Sequence, residues 1–90
     1  MNKTPFRIVY TKQALKDKKI AINSAYKEKV NSILDTLKED PFAPYPPFEK
    51  LIGDLSGAYS RRINRQHRVV YKVYDIERTV QIISMWLHYE

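Results

Sequence analysis

No cysteine occurs in the 90 residues, and glycine is limited to Gly53 and Gly57. Without thiols, neither a disulfide framework nor a zinc–thiolate site can form. With so little glycine there is no glycine-rich loop to cradle a phosphate through backbone amides. Histidine is almost as scarce. His67 and His88 lack the helical spacing of a metal-ligating pair, so neither a metal nor another cofactor is expected. No apolar run approaches the length of a membrane span. The opening MNKTPFRIVY has no signal-peptide anatomy, because its apolar stretch is strand-like and interrupted by Arg7. A soluble cytoplasmic protein with no membrane partner is the expectation.

Carboxylates are missing from one stretch in particular. Residues 60–72, SRRINRQHRVVYK, hold Arg61, Arg62, Arg65, Arg68 and Lys72, with His67 beside Arg68, and no acidic side chain. The whole chain carries a net charge of +6 and a pI near 9.6. Such a surface attracts polyanions, of which nucleic acid is the commonest in a cytosol. The cations are also sorted by type. Lysines concentrate before Leu51, whereas Arg7 is the one arginine outside the second half. The planar guanidinium fits phosphate bidentately, while an ammonium acts as a diffuse point charge. The arginine cluster is therefore the expected phosphate site, although a solvated basic surface would have the same composition.

Hydrophobic periodicity predicts one domain over residues 1–90, of α+β class. FRIVYT alternates as a first strand, and Thr11 can cap a helix from Lys12 to about Ile22 with Ala14, Leu15, Ala21 and Ile22 as its stripe. Asn23 or Ser24 is the next expected cap. Behind it, Tyr26, Val30, Ile33, Leu34 and Leu37 repeat at helical spacing up to Pro41, and core packing is the simplest role for all five. Four prolines between residues 40 and 50 favour an extended segment over any regular element. Three strands are then expected over 55–63, 67–75 and 79–89. The last is apolar on both faces and should sit centrally. The expected architecture is an N-terminal strand and two helices packed on a twisted, mainly antiparallel sheet of about four strands.

Cleaving RNA by attack of its own 2′-hydroxyl needs a base for the 2′ proton, an acid for the departing 5′ oxygen and cations around the phosphorus, but no metal. Glu49, His88 and Arg68 are residues of suitable type for those three tasks. Each also has a plainer role, as a solvated loop charge, a chain-end histidine and a surface ion-pair partner.

FEKLIGDLSGAYSRRINRQHRVVYKVYD, followed by the HY at 88–89, resembles the YoeB/Txe toxins of the RelE superfamily. LSG, SRRI, HRVVY and the late HY occur in the family's order and spacing, closely over the second half and in layout over the whole chain. The resemblance implies a RelE-like fold and an endoribonuclease that cuts mRNA in the A site of the translating ribosome. It also implies an antitoxin of the YefM type as partner. Carried onto matching positions, Glu49 is the general base, Arg68 the phosphate-stabilising residue and His88 the general acid. Arg62 contacts phosphate and Tyr89 shapes the nucleotide site. Lys50, Arg61, Arg65 and His67 join them as candidate substrate contacts. Where the family pattern has a lysine three residues after the glutamate this chain has Ile52, leaving Lys50 as the nearby cation, and Glu90 follows the tyrosine. Two other readings need the arginines but not Glu49 or His88: a non-catalytic RNA- or ribosome-binding domain, and a protein-interaction module. Codon preference, and whether the protein acts as a monomer or a homodimer, are not encoded in any motif.

Overall fold

The computed structural model describes residues 4–86. Strand β1 (Arg7–Tyr10) leads through Thr11 into helix α1 (Lys12–Ile22). Thr11 fixes that corner twice. Its Oγ1 accepts the Ala14 N–H at 3.0 Å and donates to the Ile83 carbonyl at 2.8 Å, so one hydroxyl caps the helix and ties it to the last strand. Ala14, Asp17 and Ala21 form the buried stripe of α1. Leu15, expected in that stripe, is half exposed, because small residues at 14 and 21 bring the helix close to the sheet on a different azimuth.

Helix α2 (Lys27–Glu39) buries Val30, Ile33, Leu34 and Leu37 as its spacing predicts. Its start differs from expectation. Ser24 does not cap α2. It bridges the two helices instead, donating Oγ–H to the Ala21 carbonyl and accepting the Tyr26 N–H. Tyr26 itself occupies the cap position and remains 44% exposed, so it is not a core residue.

Among the described residues the sheet has five strands in the order β1-β5-β4-β3-β2, where β2 is Phe48–Lys50, β3 Tyr59–Arg62, β4 Arg68–Tyr74 and β5 Thr79–Ser84. Only β1 and β5 run parallel among the described residues. Strand β2 is the element that proline content concealed: three residues, at an edge, paired antiparallel to β3. β5 is interior, as its apolar faces require, but the middle position belongs to β4. The core joins Val30, Ile33, Leu34 and Leu37 to Val69, Tyr71, Val80 and Ile82 of β4 and β5. Past β5, the Asp17 carboxylate accepts the Met85 N–H at 3.0 Å and the Gln13 amide at 2.9 Å. A buried carboxylate on α1 thus anchors the chain as it leaves the sheet. His88, Tyr89 and Glu90 lie outside the described residues.

Candidate active site

Strand register decides which polar side chains meet. Glu49 pairs with Ser60 across β2 and β3, Ser60 pairs with Val70, and Arg62 pairs with Arg68 across β3 and β4. Cross-strand partners share a face, and so do residues two apart along a strand. Glu49, Ser60, Arg62 and Arg68 therefore stand on one face near one edge of the sheet. Arg68 Nη1 donates to Glu49 Oε1 at 2.5 Å and to Ser60 Oγ at 3.3 Å. The Glu49 side chain is 63% exposed and that of Arg68 21%. An ion pair this open adds little to stability. Its two members, however, remain accessible to a ligand.

The pair forms a ridge between two hollows. On one side a cavity of about 510 Å³ also reaches Arg62, Arg65 and Lys29, with Pro46 and Pro47 as its wall. On the other, a cavity of about 300 Å³ is lined by Lys50, Leu51, Ile52 and Leu55. Glu49, Ser60 and Arg68 line both. Chemically this is a carboxylate able to accept a proton, beside a guanidinium with spare donors, in a groove with several further cations. A phosphodiester entering the groove would meet donors at its charged oxygens and a base next to them.

Of the residues singled out from sequence, the structure brings Glu49, Arg68, Arg62 and Arg65 around the first hollow and puts Lys50, exposed, on the second. His67 sits farther along, its ring stacked on Trp86. Arg61 is a correction. As a candidate substrate contact it would need an exposed guanidinium, and its side chain is completely buried. Alternation turns Arg61 to the opposite face from Arg62. There its Nε–H donates to the Tyr71 hydroxyl, its Nη2 to the carbonyls of Pro41 and Ala43, and its Nη1 to that of Pro46. The Phe48 ring lies 5.0 Å from the guanidinium carbon. Arg61 thus fastens the proline segment that delivers Glu49. The proposed acid His88 and the nucleotide-shaping Tyr89 fall outside the described residues.

Sequence reasoning missed Ser60, whose only signal is its position opposite Glu49. It also missed Lys29, which reaches the groove from α2. Burial raises the Tyr71 phenol above its ordinary value, and the adjacent Arg61 guanidinium opposes that rise.

Two helices on a mixed five-stranded sheet, with this carboxylate–guanidinium edge, define a RelE-like α+β protein. The family described as "YoeB-like toxin of bacterial type II toxin-antitoxin system" matches residues 10–89. The chain belongs to that family. A Toxin YoeB of Synechocystis sp. is 40% identical over 63 residues, covering 70% of this chain and 71% of that protein. Among solved structures, a YoeB/ParE toxin from Agrobacterium tumefaciens superposes with a TM-score of 0.83 at 31% identity, covering 93% of this chain and all of the other. A chain of the YoeB-YefM complex from Staphylococcus aureus gives 0.78 at 33% identity, covering 93% of this chain and 98% of the other.

Proposed function

We propose that this toxin is a ribosome-dependent endoribonuclease that cuts mRNA in the ribosomal A site and so stops translation. The observation that carries the reading is the contact of Glu49 with Arg68 on an accessible, arginine-lined groove. In the proposed reaction Glu49 takes the proton of the 2′-hydroxyl. The 2′ oxygen forms a bond to phosphorus as the bond from phosphorus to the 5′ oxygen breaks. His88 protonates the departing 5′ oxygen. The products are a 2′,3′-cyclic phosphate and a new 5′-hydroxyl, and no redox change or metal-bound oxygen enters the balance.

Arg68 meets the phosphate in its ground state and more strongly as charge builds in the transition state. Displacing Glu49 from Arg68 costs little, because the carboxylate is largely solvated and the guanidinium is part-exposed. Substrate binding can therefore free the carboxylate and engage the guanidinium together. Arg62 supplies a further phosphate contact, and Tyr89 orients the nucleotide. Lys50 adds positive charge at the second hollow.

A YefM-type antitoxin is the proposed inhibitor, with an acidic segment lying over Arg62 and Arg68. The test is to incubate translating ribosomes with purified protein and map new 5′ ends on the mRNA. Cleavage in the A-site codon by the wild-type protein, lost in Glu49→Gln and absent from naked RNA without ribosomes, is the expected result. Equal cleavage by the wild type and by a Glu49→Gln, His88→Ala double variant would overturn the assignment.

A further inference from the structure

A larger hollow, of about 720 Å³, opens next to the candidate active site, with Tyr26, Arg65, His67 and Trp86 in its lining. It shares Ile63, Asn64 and Arg65 with the hollow that contains Glu49 and Arg68. One surface therefore leads from the ion pair, past the exposed Arg65, to a group of rings. The His67 and Trp86 rings stack face to face and nearly parallel, 3.9 Å between centroids with 6° between planes. The Tyr26 ring lies 6.5 Å from Trp86 at 51°.

The group is held in place by polar contacts as well. Asn64 Oδ1 accepts the backbone N–H of Gln66 and of His67, each at 2.8 Å, and lies 3.2 Å from His67 Nδ1. That last distance fits an Nδ1–H donor and fixes the plane of the imidazole. Trp86 packs against the core with part of its surface and leaves the rest open to the hollow. Tyr26 is exposed, and neither His67 nor Trp86 is fully buried.

We propose that this hollow is a second nucleotide subsite. In it, His67, Trp86 and Tyr26 stack a base flanking the cleaved position on the same RNA strand, and Arg65 holds an intervening phosphate. The inference rests on the ribonuclease reading and deepens it by naming what binds beyond the reacting nucleotide. Single-stranded nucleic acid is recognised by cationic grooves that carry flat aromatic faces, and such stacking accepts any base. An acidic peptide would also be drawn to Arg65, but it offers no flat face to match the ring pair.

Trp86 is the only tryptophan in the chain, so its fluorescence reports on this platform directly. Glu49→Gln protein is mixed at low ionic strength with short RNA oligonucleotides that are either intact or abasic at each position flanking the cleaved one. Intact RNA should quench Trp86 emission. An abasic residue at one flanking position should abolish the quenching and weaken binding roughly 5- to 100-fold. Tyr26→Ala, at an exposed position, should weaken intact RNA while leaving the abasic oligonucleotide less affected, whereas Arg65→Gln, which removes a phosphate contact, should weaken both. Equal affinity and quenching for intact and abasic RNA would overturn the proposal, as would no RNA binding. Quenching by an acidic peptide but not by RNA would overturn it too and make the platform a protein-docking surface. Failure of the ribonuclease reading is separately visible, as undiminished ribosomal cleavage by Glu49→Gln.

Discussion

Arg61 donates its Nε–H to the Tyr71 hydroxyl at 3.0 Å, and the same hydroxyl donates to the Pro41 carbonyl at 3.1 Å. Side chains from β3 and β4 thereby reach into the proline segment. The reason lies in that segment's chemistry. Proline has no N–H and cannot join a ladder, so a proline-rich connection leaves carbonyls that regular pairing does not satisfy. Arg61, with five donors in a planar fork, satisfies those of Pro41, Ala43 and Pro46 at once. Truncating it empties a fully buried position, leaves the part-buried Ala43 and Pro46 carbonyls without this donor and Pro41 with Tyr71 alone, and a lost buried bond is worth about 1–3 kcal/mol. Arg61→Ala should therefore shift the urea midpoint by an amount corresponding to about 3 kcal/mol or more. Arg62→Ala, next to it but exposed, should leave the midpoint where it is. Equal shifts would mean that Arg61 does not hold the segment.

The same contact gives a pH dependence. Burial holds the Tyr71 phenol above its ordinary value, with Arg61 pulling the other way, so the fold favours the neutral hydroxyl. For an acid whose folded value is raised, the folded state binds more protons than the unfolded chain between the two values, and stability falls as pH rises. The contribution is complete below the unfolded value of about 10 and is lost as pH climbs through the folded value. Denaturant titrations from pH 8 to 11.5 should show declining stability at the alkaline end. Tyr71→Phe should start lower at pH 8, because Arg61 and Pro41 lose a partner, and should decline less steeply. Parallel curves for the two proteins would exclude Tyr71 as the group responsible.

Much of this was legible in the sequence. The stripe Val30, Ile33, Leu34 and Leu37 identified α2 and its buried face, and alternation identified the β3–β4–β5 meander. Glu49 and Arg68 were recognisable as chemical partners by residue type and family resemblance. What was hidden depended on long-range pairing. In SRRI the two arginines look alike, and a register set by Phe48 and Val69 sends one inward and the other to the groove. β2 has too few residues for a periodic signal, and Tyr26 follows the stripe's spacing while lying just before the first turn of α2.

An acidic partner segment over the exposed Arg62 and the part-exposed Arg68 should bind through charge-assisted contacts. Exposed charges are screened within roughly 8–10 Å at physiological salt. The association rate should fall steeply with ionic strength, and Arg62→Gln should reduce that dependence. If hydrogen exchange in the antitoxin complex shows no protection around residues 60–68, inhibition works through another surface.

The last prediction separates the charge of Arg68 from its shape. Nη1 contacts Glu49 and Ser60 together, and the planar fork still has donors that can face the groove. Lysine at this position keeps the charge but loses the fork. Binding of single-stranded RNA depends mainly on charge, through counterion release. Arg68→Lys should therefore preserve the slope of log affinity against log salt, whereas Arg68→Ala should lower it by about 0.7. Turnover depends instead on donors aimed where charge develops, and removing one such donor typically costs about 10²–10³-fold. Arg68→Lys should thus bind nearly as wild type and cleave about 10²-fold more slowly in the ribosomal assay. Glu49→Gln should lose about 10²–10⁴-fold in cleavage, with RNA affinity unchanged or higher, since the carboxylate no longer competes for the guanidinium. A lysine variant that cleaves at the wild-type rate would reduce Arg68 to electrostatic attraction and remove it from the proposed transition state.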